Sequence, residues 1–359
     1  MTAIDLAHHR LQNQHIAAPA LSPCEVVAHL VAIQAQDFAA AKWAVGLRTP
    51  SANEATVVEA LAQGSIVRTW PMRGTLHLVA AQDVRWILRL LTPRAVARNQ
   101  TNLRRLGLDE AVFRKSRSII TKALTGGQQL RRDQLYELLE KQKIVTTQQR
   151  GMNILWFLAQ EGLICFGPHE GKQPCFVLLD EWVPDDKRKY VEGETALGVL
   201  AARYFKSHGP ATLKDFAWWS GLSVTEAKIG YRLAAEECET VAVDGVSYLT
   251  PREWPVMDKK TLGAHLVPGF DEYLLGYADR SAVLAGGSLQ RIVPGNNGVF
   301  LPMMVYQGVI MGTWKRTITK VGVSVELQPF AGCSGVQMRA FQKAARRYGD
   351  YLRLVVSCG

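Results

Sequence analysis

One pattern recurs along this chain: a helix, a short link, a second helix, a turn, a longer helix and two short strands. The middle copy is the plainest. Residues 109–124 form its first helix and 130–141 its second. Thr146 and Thr147 then cap a helix over 148–160 that Gly162 ends, and 163–166 pairs with 175–179 as a hairpin. The third copy runs as helices over 195–207, 213–220 and 224–238, broken at Gly209-Pro210 and capped at Ser223. Its hairpin, 240–243 with 246–249, turns at Asp244-Gly245. The first copy is fainter: helices over 4–15, 22–33 and 54–63, with Asn53 as a cap, then strands over 66–69 and 76–79.

Three helices with a two-stranded wing is the winged-helix plan, a variant of helix-turn-helix. Such units bind DNA or serve as protein–protein modules. The expected fold class is α+β: three tandem winged helices at 1–84, 109–185 and 190–255, a connector over 85–108, and a C-terminal domain at 265–359. That last stretch has glycines at 286, 287, 295 and 298 and apolar runs at 299–306, 309–314, 321–327 and 352–356. It predicts a small antiparallel sheet or barrel interrupted by one basic helix at 335–348.

Charge sharpens the choice between DNA and protein. The net charge is +10, and between Arg85 and Arg132 twelve basic side chains face only Asp109 and Glu110, so this stretch alone carries a surplus equal to the total. Arginine dominates it, and its planar fork suits phosphate. The stretch therefore favours a polyanion over a scaffold role, although any single Arg reads as well as a solvated helix face.

No apolar run has the length of a membrane span, and residues 1–10 lack the apolar core of an export signal. None of the six cysteines lies in a C-x-x-C pair. Cys165 and Cys175 could face each other across a hairpin, but free thiols in a cytoplasmic protein without a structural metal fit better. Phosphate-binding loops, dinucleotide fingerprints, H-E-x-x-H and G-x-S-x-G are absent.

Two segments stand out as candidate sites. In residues 32–38, Gln34 and Gln36 interrupt an apolar stretch that reads as the end of the second helix. On a regular helix they diverge by roughly 200°, and they could share a cleft only if the helix unwinds at Ala35. From the pattern alone they read more readily as surface amides at a helix end. The segment 68–77 sets Arg68, Trp70, Arg73 and His77 beside a tight turn, which suits nucleotide contact and equally a hairpin with Trp70 packed beneath it. Trp218-Trp219 reads as core. Asp271, Glu272 and Asp279 could form a carboxylate site, but salt bridges to Arg280 or Arg291 fit better.

Taken in order, residues 32–37, 70–77, 270–280 and 297–314 resemble the winged-helix DNA glycosylases of the AlkZ and YcaQ type over nearly the whole chain. The resemblance implies three winged helices and a β-barrel in a C-shaped body with a basic concave face. It implies that Gln34-Ala35-Gln36 is the catalytic signature, in the Gln-x-Gln form of the AlkZ branch rather than the Gln-x-Asp form of the YcaQ branch. That branch removes N7-alkylated purines and can unhook interstrand crosslinks. Met303-Met304 and Tyr306-Gln307-Gly308 depart from the family pattern, both in the barrel.

The expectation is thus a monomeric, monofunctional DNA glycosylase that needs no cofactor. Its substrate is duplex DNA with alkylated or crosslinked purines. Gln34 and Gln36 are its catalytic residues, and Asp37 is a secondary candidate for supplying negative charge. The expected DNA contacts are Arg68, Arg73, His77, Arg94, Arg98, Arg104, Arg105, Lys315 and Arg316. A non-catalytic DNA-binding transcriptional regulator is the alternative.

Overall fold

A computed structural model describes residues 2–171, 173–184, 190–253, 261–284 and 289–358. The chain opens with α1 (Ala3–Asn13), capped by Thr2, and α2 (Pro23–Leu30), with proline at its first position, where a helix leaves an N–H unpaired anyway. Val31 takes a left-handed φ of 67° and stops α2. The chain turns at once into β1 (Ile33–Gln34), then α3 (Phe38–Arg48) and α4 (Glu54–Ala62), capped by Asp37 and Asn53. A hairpin, β2 (Ile66–Met72) and β3 (Thr75–Ala80), follows. The Gln segment is therefore strand and turn, not the end of a helix, and α3 is an element the periodicity does not reveal.

The connector is itself helical: α5 (Ala81–Arg105) runs 25 residues through Pro93. Then come α6 (Glu110–Leu124), β4 (Leu130–Arg131), α7 (Arg132–Lys141), α8 (Arg150–Gln160), β5 (Ile164–Glu170), β6 (Gln173–Leu178) and α9 (Leu179–Trp182). Helix α8 begins later than its capping threonines suggest, because Gln148 and Gln149 both have positive φ. Next are α10 (Gly193–His208), α11 (Leu213–Ser220), α12 (Val224–Ala234), β7 (Cys238–Val243) and β8 (Val246–Pro251).

The last stretch holds β9 (Ala264–Val267), α13 (Glu272–Leu275), α14 (Leu289–Ile292), β10 (Met303–Tyr306), β11 (Val309–Ile318), β12 (Gly322–Pro329), α15 (Gly335–Leu352) and β13 (Val355–Cys358). Gly286 and Gly287 lie outside the described residues, as do the expected domain ends at 185 and 255.

Two features of the sheets differ from expectation. The first two hairpins join into one six-stranded sheet, ordered β1-β3-β2-β5-β6-β4, through the pairing of Arg68 with Phe166. The C-terminal strands make a five-stranded sheet ordered β13-β12-β11-β10-β9. Among the described residues its end strands β9 and β13 do not pair, so the sheet is open rather than a closed barrel. Its departures from the family pattern are accommodated. Met303 and Met304 are core residues of β10, and Gln307 and Gly308 make the β10–β11 turn with φ of 47° and 82°. A Cβ on Gly308 would stand 2.9 Å from the Cβ of Ala7 and 3.1 Å from its backbone carbon.

Cys165 lies opposite Val177 and Cys175 opposite Arg131, so the two do not face each other, and all six cysteines are free thiols. None of the described helices is long and apolar enough to cross a membrane.

The cores explain why β1 is well placed. Ile33 and Ala35 pack into a core shared with the C-terminal sheet, through residues such as Trp43, Leu266 and Trp314. Val31 and Ala32 pack into a second core with α5, α10 and α11. Trp70, on β2 beyond β3, belongs to a third core with α6, α7 and α8. The Gln-bearing segment thus sits where the first two packing units meet, and residues on either side of Gln34 are fixed by both.

Candidate active site

Ala35 is held from two sides. Its N–H donates to the Leu76 carbonyl on β3 at 2.7 Å. Its carbonyl accepts from Arg68 Nη2 at 2.9 Å and Nε at 3.2 Å. The Arg68 guanidinium lies over the rings of Phe38 and Phe166, 4.8 and 5.0 Å from their centroids. Burial pulls its pKa down to about 10 against the pull of Asp37. Arg68 is therefore not a free phosphate contact: its guanidinium is spent on the turn between the two glutamines.

Gln34 is 7% exposed, and its Oε1 accepts the Gln36 backbone N–H at 3.2 Å. That bond folds the turn and fixes the Gln34 amide, leaving Nε2 without a protein partner among the described residues. Gln36 follows the bend and is exposed. The structure brings the two residues into one tight turn, the Gln34 side chain against the Gln36 backbone.

Asp37 has another task. Its Oδ1 caps α3 by accepting the Ala40 N–H at 3.0 Å, and Arg316 Nη2 stands 3.8 Å from its Oδ2. As a source of catalytic charge it is thus occupied and partly neutralised. The same contact brings Arg316, on β11, beside the Gln turn, with Lys315 next to it and exposed.

Behind β1 lies a buried polar group that the sequence reading missed. Glu272 Oε2 accepts from Trp219 Nε1 at 2.9 Å and stands 3.4 Å from His208 Nε2, while Oε1 is 3.4 Å from the Gln34 backbone nitrogen. Burial raises the Glu272 pKa, but His208, Arg73 and His77 outweigh it and leave the carboxyl below its ordinary value. Asp271 takes Arg48 in a buried two-pronged pair at 2.7 and 2.8 Å. Neither carboxylate pairs with Arg280 or Arg291. The one sequence signal was two adjacent carboxylates in an otherwise apolar run.

His77 is opposite Gln34 in the β1–β3 register and fully buried, so it has no surface to offer DNA. Its Nδ1 meets the Thr75 carbonyl at 2.9 Å, and Nε2 has no partner among the described residues. Burial, helped by Arg73, lowers its pKa to about 4. Trp219 is core, as expected. Trp218 is not: it is half exposed, under Arg280.

The family model described as "DNA glycosylase AlkZ-like" matches residues 27–351. The chain belongs to the AlkZ-like DNA glycosylase family. It is an enzyme acting on N-glycosyl bonds, and a purely non-catalytic regulator is set aside. A protein of Streptomyces sahachiroi named "Interstrand DNA cross-link repair glycosylase" is 26% identical over 348 residues, which is 94% of this chain and 92% of that protein. The solved structure of the Streptomyces sahachiroi DNA glycosylase AlkZ matches with a TM-score of 0.80 at 24% identity, covering 100% of both chains, and so shares the fold.

DNA as substrate gives the basic surface its meaning, but the surplus between Arg85 and Arg132 is smaller than its count. Arg85 pairs with Asp180, Arg89 with Glu192, Arg94 with Glu226, Arg117 with Glu161, and Arg131 with Asp133 and Glu170. Arg94 is therefore already partnered. Arg98 Nη2 donates to the Gly221 carbonyl at 3.0 Å, and Arg73 Nη1 stands 3.5 Å from that of Trp218. These three arginines line a cleft of about 430 Å³ with Trp70 and Trp156. Arg104 and Arg105 are exposed at the end of α5.

Proposed function

We propose that this enzyme hydrolyses the N-glycosidic bond of N7-alkylated purines in duplex DNA and unhooks interstrand crosslinks built on such purines, with Gln34 and Gln36 acting at the bond. The observation that carries the reading is the clamped turn. Two glutamines flank an alanine whose backbone is held by Leu76 and Arg68, and the first Gln is locked by the N–H of the second. A merely solvated amide pair has no use for such restraint.

The chemistry suits neutral amides. An N7-alkylated guanine is already cationic, so its C1′–N9 bond breaks to release a neutral base without prior protonation. The remaining work is to hold a water at C1′ and to favour the oxocarbenium-like transition state. A Gln carbonyl accepts a hydrogen bond from that water, and a Gln NH₂ orients its partner. The water oxygen adds to C1′ and its proton leaves to solvent. Gln is too weak a base to abstract the proton itself, so its role is orientation and polarisation. Because the lesion is chemically primed, a deep pocket for a flipped base is not required, which suits bulky crosslinks.

The three helix–hairpin units act as winged helices in this reading, with Arg73, Arg98, Arg104, Arg105, Lys315 and Arg316 facing the duplex. The relative from Streptomyces sahachiroi, named for cross-link repair, supports the crosslink half of the proposal. The test is base release from duplex DNA carrying N7-methylguanine, followed by unhooking of a duplex crosslinked through guanine N7. Release of 7-methylguanine and free single strands are expected. Release of only another lesion, such as 3-methyladenine, would contradict the substrate assignment.

A further inference from the structure

We propose that Glu272 is a positioning residue for Gln34: its buried carboxylate anchors the outer edge of β1 and so holds the Gln34 amide in its working orientation. This rests on the reading of Gln34 as catalytic and extends it to a residue nearly 240 positions further along the chain.

Strand β1 is the edge of its sheet, and only two residues long. Along such an edge, alternate N–H groups point inward to the neighbouring strand and outward to nothing. The Ala35 N–H points inward, to Leu76. The Gln34 N–H points outward, and a buried backbone donor there needs an acceptor. Glu272 Oε1 is that acceptor, at 3.4 Å.

The carboxylate is itself held. Trp219 Nε1 donates to Oε2 at 2.9 Å, and His208 stands 3.4 Å away with its other ring nitrogen 2.8 Å from Ser207 Oγ. The Glu272 backbone carbonyl lies 3.4 Å from Gln14 Nε2. Glu272 is 1% exposed, and a charge so buried is costly unless its partners are fixed. The carboxylate thus ties β1 to α10, α11 and α13 at a single point, directly behind the residue whose side chain must not drift.

A carboxylate accepts on both oxygens, and an amide does not. In Glu272→Gln the NH₂ group must face either the Trp219 or the Gln34 N–H, donor against donor, while volume is kept. The experiment is single-turnover release of 7-methylguanine in a double-mutant cycle with Gln34→Ala, together with DNA affinity and melting temperature. Glu272→Gln is expected to slow release about tenfold or more with the Gln34 side chain present. It should change the residual rate of Gln34→Ala less than twofold, with DNA affinity unaltered in both backgrounds. Trp219→Phe, which keeps the charge but removes one donor, is expected to slow release more mildly, again only when Gln34 is present, and it serves if Glu272→Gln does not fold. Equal slowing in both backgrounds, or none, would overturn the proposal while leaving the role of Gln34 intact. Wild-type release by Gln34→Ala would instead overturn the role of Gln34 and the proposal with it.

Discussion

Replacing Arg68 separates two roles for one cation. As the clamp of the Gln turn, its guanidinium makes two charged hydrogen bonds to the Ala35 carbonyl and lies over two aromatic rings. Hydrogen bonds involving a charged group contribute roughly 1.5–3 kcal/mol. Each ring adds roughly 0.5–1 kcal/mol, more when desolvated, as at this nearly buried site. Because both bonds share one acceptor and count as about one, Arg68→Ala should cost about 3–5 kcal/mol of global stability, read by urea unfolding, a large share of the roughly 5–15 kcal/mol typical of a folded protein. Arg68→Lys should cost less, because an ammonium keeps the charge but cannot place two parallel bonds on one carbonyl. The rate should fall further than stability alone explains. Freed from Arg68, the Ala35 turn needs to drift only about 1 Å to cost on the order of 10²-fold in base release. DNA affinity, by contrast, should change little. Base release at the wild-type rate by Arg68→Ala, with weaker DNA binding and a salt dependence shallower by about one phosphate contact, would show that Arg68 serves DNA and not the turn.

Other outcomes follow from the same contacts. Asp271→Asn breaks a buried two-pronged pair with Arg48 and should destabilise the protein by about 3–5 kcal/mol in denaturant unfolding. Burial holds His77 and His265 down to about 4, so both stay neutral in the folded protein while the unfolded chain protonates them near 6.5. Stability should then be full above pH 7 and fall as pH drops from about 6.5 to 4, by at most roughly 3 kcal/mol per histidine. Urea melts at pH 7.5 and 5 check this, and equal stability at both would speak against it. The double substitution of Arg104 and Arg105 by Ala should reduce the salt dependence of duplex binding by about two phosphates with little loss of stability, because both side chains are exposed.

Local signals made much of the fold legible. Helix α11 spans the residues expected, 213–220, Ser223 caps α12, and Asp244-Gly245 turns the third hairpin with φ of 49° and 77°. Each of these depends on residues within a few positions. The Gln turn does not. Its strand pairing comes from β3, its carbonyl partner from Arg68, and its outward acceptor from Glu272, so nothing within residues 32–38 could show that the helix ends at Leu30. The charge count was misleading for the same reason. The partners that neutralise Arg85, Arg89, Arg94 and Arg117 are Asp180, Glu192, Glu226 and Glu161, each tens of residues or more along the chain. His77 and Arg68 looked like surface cations beside a turn. The six-stranded sheet and the packing of three cores around it bury them, and no local pattern announced that two hairpins would join.

The most direct measurement is single-turnover release of 7-methylguanine from duplex DNA by the wild type and by Gln34→Ala and Gln36→Ala, at protein concentrations that saturate the DNA. The wild type is expected to release base, each variant to lose on the order of 10²-fold, and duplex affinity and melting temperature to stay close to wild type. Release by either variant at the wild-type rate would contradict the assignment of that glutamine, and by both variants the claim that this turn is the active site.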